Sequence, residues 1–264
     1  TTVKKILLII QPDCIINNMS EIQSLARGLK ILNLLDQTSE GISVTDIAAH
    51  LAVDKGSASR LLMTLAAYGF VEKNEITRRY QLGPRVVSLS RSVLTRLPLR
   101  EAARPFLRQL MELSGECAHL AVAAQGKALY IDQVESPATL RVNAQVGTMN
   151  PLHCTSLGKV LLAFGQVEFP ETLEAYTPRT ITDPDELRAH LETVRQAGYA
   201  VDDEEFDLGV RCLAAPVFDF RGKLAGAIGI SGPATRMSPD RLPELAATVM
   251  EIARTLSERM NYSR

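Results

Sequence analysis

Two groups of residues in this chain have the types and spacing to do chemistry. The first lies in VDKGSASRLLMTLAAYGFV, residues 53–71, where Lys55, Gly56, Ser57, Ser59 and Arg60 crowd the front of an apolar segment. If Asp54 caps a helix there, the leading tip offers hydroxyls, cations and free backbone N–H groups, with no large hydrophobe to hold a partner away. Such a tip suits phosphates and base edges: the major groove admits one helix, Arg60 has the fork for a bidentate guanine contact, and Lys55 suits a phosphate. The second group is scattered. Thr155 and Ser156 precede an apolar helical run, Asp202 opens a run of four acids beside Cys212, and Gly229 and Ser231 fall in KLAGAIGISGP. A helix start receives carboxylates, and an inward-turned acid such as Asp202 accepts hydrogen bonds from ligand hydroxyls. In the strand, Ala225, Ala227, Gly229 and Ser231 share one face that carries almost no side chain, which leaves either a cavity or a tightly packed helix above it.

A rival chemistry uses His153, Cys154, Asp202 and Cys212 as thiol nucleophile and bases, making the chain a small-molecule hydrolase through Cys154 or Cys212. No nucleophile motif surrounds them, and adjacent His153 and Cys154 do not have the spacing of common zinc pairs. The expectation is therefore no catalytic residue, no metal and no cofactor. The four cysteines, Cys14, Cys117, Cys154 and Cys212, form no CxxC pair, which suits reduced thiols in a cytoplasm.

The elements that must position these groups follow from periodicity. Ile22, Leu25, Leu29 and Leu32 recur at helical spacing, with Leu35 closing the stripe. Ser43 is a predicted N-cap for a short second helix with Val44, Ile47, Ala48 and Leu51 on one side; a third helix buries Ala58, Leu61, Leu62, Leu65 and Ala66 and stops at Gly69. Two short helices joined by a tight turn form a helix-turn-helix. Phe70 to Lys73 and Thr77 to Leu82 then read as a hairpin around Asn-Glu, a wing whose Arg78 and Arg79 are expected, like Lys55, to hold phosphates. Arg27 and Thr45 complete the DNA-facing candidates. Next, Val86, Leu89, Val93, Leu94 and Leu97 make a linker helix stripe, which packs either on its own domain or on a second copy.

The net charge of −1 conceals an asymmetry: residues 1–100 hold 13 Lys and Arg against 8 Asp and Glu, and residues 101–264 hold 16 against 22. The halves do different jobs, the basic one suiting a polyanion. At 264 residues the chain has room for two cores. The divisions expected are an N-terminal extension over 1–20, a winged helix-turn-helix over 21–83, a linker helix over 84–97, and a second domain over 98–264. In the last, a helix runs from Pro98 to about Cys117. Three strands follow over 118–124, 128–134 and 140–146, with a helix over 185–198 and a final helix from Pro239. Strand runs flanked by helices place this domain in the α+β class. The apolar run near the N-terminus is five residues, too short to span a bilayer, and no signal-peptide cleavage site follows. Residues 1–18 are expected to be dispensable, with Met19 a natural start.

SLARGLKILNLL, followed by ISVTDIAAHLAVDKGSASRLLMTLAAYGFVEKNEITRRYQLGPRVVSL, resembles the DNA-binding domain of IclR-type bacterial transcription regulators. GYAVDDEEFDLGVRCLAAPVFD and LAGAIGISGP resemble that family's effector-binding domain, so the likeness spans roughly residues 22–260. It implies a GAF-like second domain whose effector pocket is lined by Ser156, Leu157, Asp202, Cys212, Gly229 and Ser231. It further implies a small organic or sugar acid as effector, a palindromic operator in double-stranded DNA, a homodimer or dimer of dimers, and repression of a catabolic operon without membrane attachment. Gly56 and Gly229 stand where members of the family often carry Ser. The first departure weakens a helix and puts the usual contact in doubt; the second is expected to remove a donor and enlarge the pocket.

Overall fold

A computed structural model describes residues 22–94, 98–142 and 144–261, with the side chains of 91–94 left aside. The expected N-terminal extension and its dispensability, and the linker residues Val93, Leu94 and Leu97 as side chains, lie outside the described residues. Described residues up to 94 belong to one compact unit and those from 98 onward to another.

The first unit contains α1 (Gln23–Asp36), α2 (Val44–His50), α3 (Lys55–Ala67), β1 (Val71–Lys73), β2 (Tyr80–Leu82) and α4 (Arg85–Leu94). Ser43 starts α2 by accepting a hydrogen bond from Asp46 N at 3.2 Å. Gly69, at φ +75°, ends the third helix in the left-handed region that a residue with a Cβ avoids, and so swings the chain into β1. The two strands pair antiparallel from Val71–Leu82 to Lys73–Tyr80. Ile31, Leu35, Ile47, Ala58, Leu62, Val71 and Tyr80 close the core. The α1 stripe divides: Leu35 is buried together with Ile31, whereas Ile22, Leu25 and Leu29 are exposed, Leu25 at 60%. This helix is apolar on two faces, and only the one bearing Ile31 and Leu35 meets α3 and β2. Leu89 on α4 is exposed as well.

The second unit contains α5 (Pro98–Ser114), β3 (Cys117–Ala124), β4 (Lys127–Val134), β5 (Met149–Asn150), α6 (Ser156–Phe164), α7 (Pro184–Ala197), β6 (Ala200–Asp203), β7 (Val210–Phe218), β8 (Leu224–Pro233), a 3-10 turn (Pro239–Arg241) and α8 (Leu242–Arg259). Its strands form one antiparallel sheet in the order β5-β4-β3-β8-β7-β6. Alternation sorts the side chains. Leu120, Ile131, Leu213, Ile228 and Ile230 meet α5 and α8 on one face, while Tyr130, Ala200, Ala214 and Ala227 meet α6 and α7 on the other. The 14-residue α7 is delimited at both ends: Asp183 accepts from Asp185 N and Glu186 N, Pro184 takes the first turn, and Gly198 at φ +80° closes it.

The strand expected over 140–146 is absent among the described residues there; the pairing to the outer side of β4 comes instead from Met149–Asn150. Leu140 and Val146 are exposed, so the alternation of LRVNAQV is not one buried face and one wet face. Gly147, at φ +98°, turns the chain so that its N–H and the Thr148 carbonyl meet Tyr130.

Candidate nucleic-acid interface and ligand recess

The leading turn of α3 is braced by its own side chains. Asp54 Oδ1 accepts from Ser57 N at 2.8 Å, Ser57 Oγ donates to Asp54 Oδ2 at 2.6 Å, and Arg60 Nη2 donates to Ser57 Oγ at 3.1 Å. The Ser57 bonds hold the Asp54 carboxyl below the ordinary carboxylate range. Ser57 is thus half occupied in holding the cap, and Arg60 is held in place yet exposed, as are Lys55 and Gly56. A Cβ on Gly56 would stand 3.1 Å from Asp54 Oδ1, so the glycine leaves room for the capping carboxylate. Ser59 is half-buried, Thr45 is exposed on the first turn of α2, and Arg27 is half-buried on α1.

On the wing the two arginines differ. Arg78, at φ +58° in the hairpin turn, is exposed and pairs with Glu75 at 3.1 Å. Arg79 donates to Gly41 O at 3.0 Å, which ties the wing to the loop before α2. Ile76 at the tip was not singled out by the sequence: it is 94% exposed, on a turn fixed by Asn74 Oδ1 accepting from Ile76 N and Thr77 N. A hydrophobe in so short a polar turn was the available signal.

In the second unit, strand register assembles a polar row on the sheet face below α6 and α7. Asp202 pairs with Cys212, Cys212 with Ser231, and His119, on the neighbouring strand, meets Ser231 Oγ through Nε2 at 2.6 Å. Asp202 and Ser231 are buried, yet Cys212 between them keeps accessible surface. Cys212 is half-buried between two buried neighbours, and this row of polar groups on one sheet face is the candidate ligand recess. Ser156 and Leu157 are buried in the first turn of α6, whose cap is Thr155: its Oγ1 accepts from Gly158 N at 3.1 Å and donates to Pro151 O at 2.7 Å. Register thus brings Asp202, Cys212 and Ser231 into one row, with α6 packed over the same face.

The expected extra room at Gly229 is not found. A Cβ there would press into the Leu213 carbonyl and stand 2.9 Å from the Ala214 Cβ, because β7 and β8 approach closely; the glycine serves strand packing.

Burial dominates the electrostatics. It pushes the Asp202 carboxyl up to about 7, against hydrogen bonds from Glu205 N and Phe206 N and the nearby Lys159 ammonium. Burial likewise pushes the Cys154 thiol to about 12 and raises Cys212, to which the Asp202 carboxylate adds. Both sulfurs stay protonated near neutrality, so neither is an activated nucleophile. His153 bonds the Glu174 carbonyl at 2.9 Å. Among the described residues no His, Cys, Asp and Glu group could hold a metal, and no helix is long and apolar enough to cross a membrane.

Three participants escaped the sequence. Lys159 is 0% exposed inside α6, 2.5 Å from Glu205 Oε1 and 3.3 Å from His190 Nε2. A lone cation in the apolar helix SLGKVLLAF was the signal for it, because a buried ammonium needs a partner. Glu205 belongs to the run of acids without being distinguished within it, and nothing local announces His119.

The family model described as IclR helix-turn-helix domain matches residues 24–75, and that described as Bacterial transcriptional regulator IclR C-terminal matches residues 91–258. The chain is 39% identical to the HTH-type transcriptional regulator BhcR of Paracoccus denitrificans over 89% of this chain and 86% of that one. It is 38% identical to the glycerol operon regulatory protein of Streptomyces coelicolor, over 92% and 98%. The crystal structure of the Thermotoga maritima IclR superposes with a TM-score of 0.71 at 29% identity, covering 92% of this chain and all of the other.

Proposed function

Because the chain belongs to the IclR family of bacterial transcription regulators, we propose that it is an effector-controlled repressor of a catabolic operon. In this reading α3 enters the major groove of a palindromic operator, Arg60 reads a guanine, and Lys55 and Arg78 hold phosphates. Arg79 contributes mainly by fixing the wing. The chain is a DNA-binding regulator and not an enzyme, and it acts where the DNA is, in the cytoplasm. A small carboxylic or sugar acid in the recess above Asp202, Cys212 and Ser231 shifts the protein between two arrangements of differing operator affinity.

The observation that carries this reading is the exposed, cross-braced Arg60 at the tip of a capped helix. Arg60→Ala is expected to cost about 1–3 kcal/mol, roughly 5- to 150-fold, on a selected operator and far less on random duplex. Titrating both DNAs at one salt concentration decides it: equal losses on the two would remove Arg60 from base reading.

A palindromic site asks for a two-fold protein. Ile22 at the start of α1, Leu25 and Leu29 on it and Leu89 on α4 leave apolar surface that their own unit does not cover, and we assign it to a second copy. Leu25→Glu is expected to leave the circular-dichroism spectrum unchanged while shifting sedimentation toward monomer; an unmoved sedimentation coefficient would place the dimer contact elsewhere.

A further inference from the structure

We infer that an organic-acid effector enters the recess together with one proton, which settles on Asp202; the inference rests on the effector reading above. It follows from the charges that face Asp202. From its own turn come the backbone N–H groups of Glu205 and Phe206, which donate to Asp202 Oδ1 at 2.8 and 3.4 Å. From β7 comes the Cys212 thiol, its register partner, and from β4 the Tyr130 phenol; burial raises both, so both stay neutral. The Cys154 thiol, also raised by burial, is neutral too.

Across the row, His119 is held neutral by burial, down at about 4. From α6 comes the one cation facing Asp202 among the described residues, Lys159, and it is engaged by Glu205 at 2.5 Å. From α7 comes His190, down at about 4 through burial and the Lys159 ammonium beside it. Of the other acids, Asp203 is committed to Arg211 at 2.7 Å, and Asp207 is exposed on the turn.

Glu205 offsets part of the Lys159 ammonium, and burial outweighs what remains of it at Asp202, which leaves Asp202 a poorly compensated charge when ionised. An incoming carboxylate makes a second one in the same low-dielectric space, and two neighbouring carboxylates do not both stay ionised there. The proton comes from solvent and resides on the carboxyl that holds it best. Asp202, already pushed up to about 7, outcompetes an ordinary organic acid. Neutral Asp202 then donates its O–H to the ligand carboxylate. Below that pH the proton is in place before binding and affinity is flat; above it each binding event takes up a proton and affinity falls.

The test is titration calorimetry of the full chain with acetate, lactate, benzoate and gluconate, from about pH 6 to about pH 8.5, in phosphate and in Tris, whose ionisation heats differ. The expected result is uptake approaching one proton near pH 8 and approaching none near pH 6. The dissociation constant should rise up to about tenfold for each step of one in pH above 7. Asp202→Asn should remove both effects, and the two-buffer comparison on the wild type stands even if that variant folds poorly. Binding of any of these acids near pH 8 without proton uptake overturns the coupling and leaves the effector reading intact. If none of the four binds at any pH while neutral glycerol or arabinose does, the organic-acid reading falls and the coupling falls with it.

Discussion

At pH 8 and without ligand, Asp202→Asn is expected to unfold at a higher temperature than the wild type, although it removes a side chain of the proposed binding site. Asp202 is 2% exposed, and burial outweighs the two N–H donors and Lys159, so the folded protein favours the neutral carboxyl. A carboxyl raised from 3.8 in the unfolded chain to about 7 in the folded one contributes stability that is fully present below 3.8 and is lost as the pH rises through 7. The wild type therefore loses up to about 4 kcal/mol across that window, at about 1.4 kcal/mol for each tenfold difference in proton affinity between the two states, while the amide keeps an acceptor for Glu205 N and has no charge to bury. On the order of 10 °C separates the two proteins at the alkaline end, and the gap closes toward pH 4. Melting curves over that range read the effect directly. A variant less stable than wild type at pH 8 would mean that the hydrogen bonds to the ionised form outweigh its burial.

That balance was out of reach of the sequence, although the residue was not. Asp202 stood out in a run of acids, but Cys212 and Ser231 join it only through the registers of β6 with β7 and β7 with β8. The ion pair joins positions 46 residues apart and the His119–Ser231 bond positions 112 apart, distances over which periodicity carries no information. Locally encoded features were legible: Ser43 and Asp54 as caps, the hairpin after Gly69, the two long strands after α5, and Pro184 and Gly198 around α7. Two readings failed where local pattern and tertiary context disagree. LRVNAQV alternates without a buried face, and Gly229 looked like vacant space because the sequence does not show how close β7 runs. The α1 stripe is a third kind of case. Its spacing announces an apolar face but not whether the chain's own core or another molecule covers it.

Lys159→Met is expected to be the most damaging single change in the second unit outside its apolar core, at about 3–5 kcal/mol, because it strands the Glu205 carboxylate in a buried site without a counter-ion. The double variant Lys159→Met with Glu205→Gln should regain most of that loss, since an uncharged pair of similar volume escapes the ionic desolvation penalty. Urea unfolding of the two single variants and the double one completes the cycle and isolates the coupling between the partners. The cycle also bears on the recess. Glu205 Oε1 accepts from Asp203 N at 3.4 Å, and the N–H groups of Glu205 and Phe206 are the ones that reach Asp202, so Lys159 fixes from α6 the turn that aims Asp202. If the pair is what holds that turn, the double variant will recover stability without recovering acid binding, because the uncharged thioether and amide that replace the ion pair meet only by packing. A cost below about 1 kcal/mol for Lys159→Met would instead mark the pair as effectively solvated, and would assign the geometry of the turn to the Thr177 and Thr180 hydroxyls that donate to the Glu204 and Glu205 carbonyls at 2.7 and 2.6 Å.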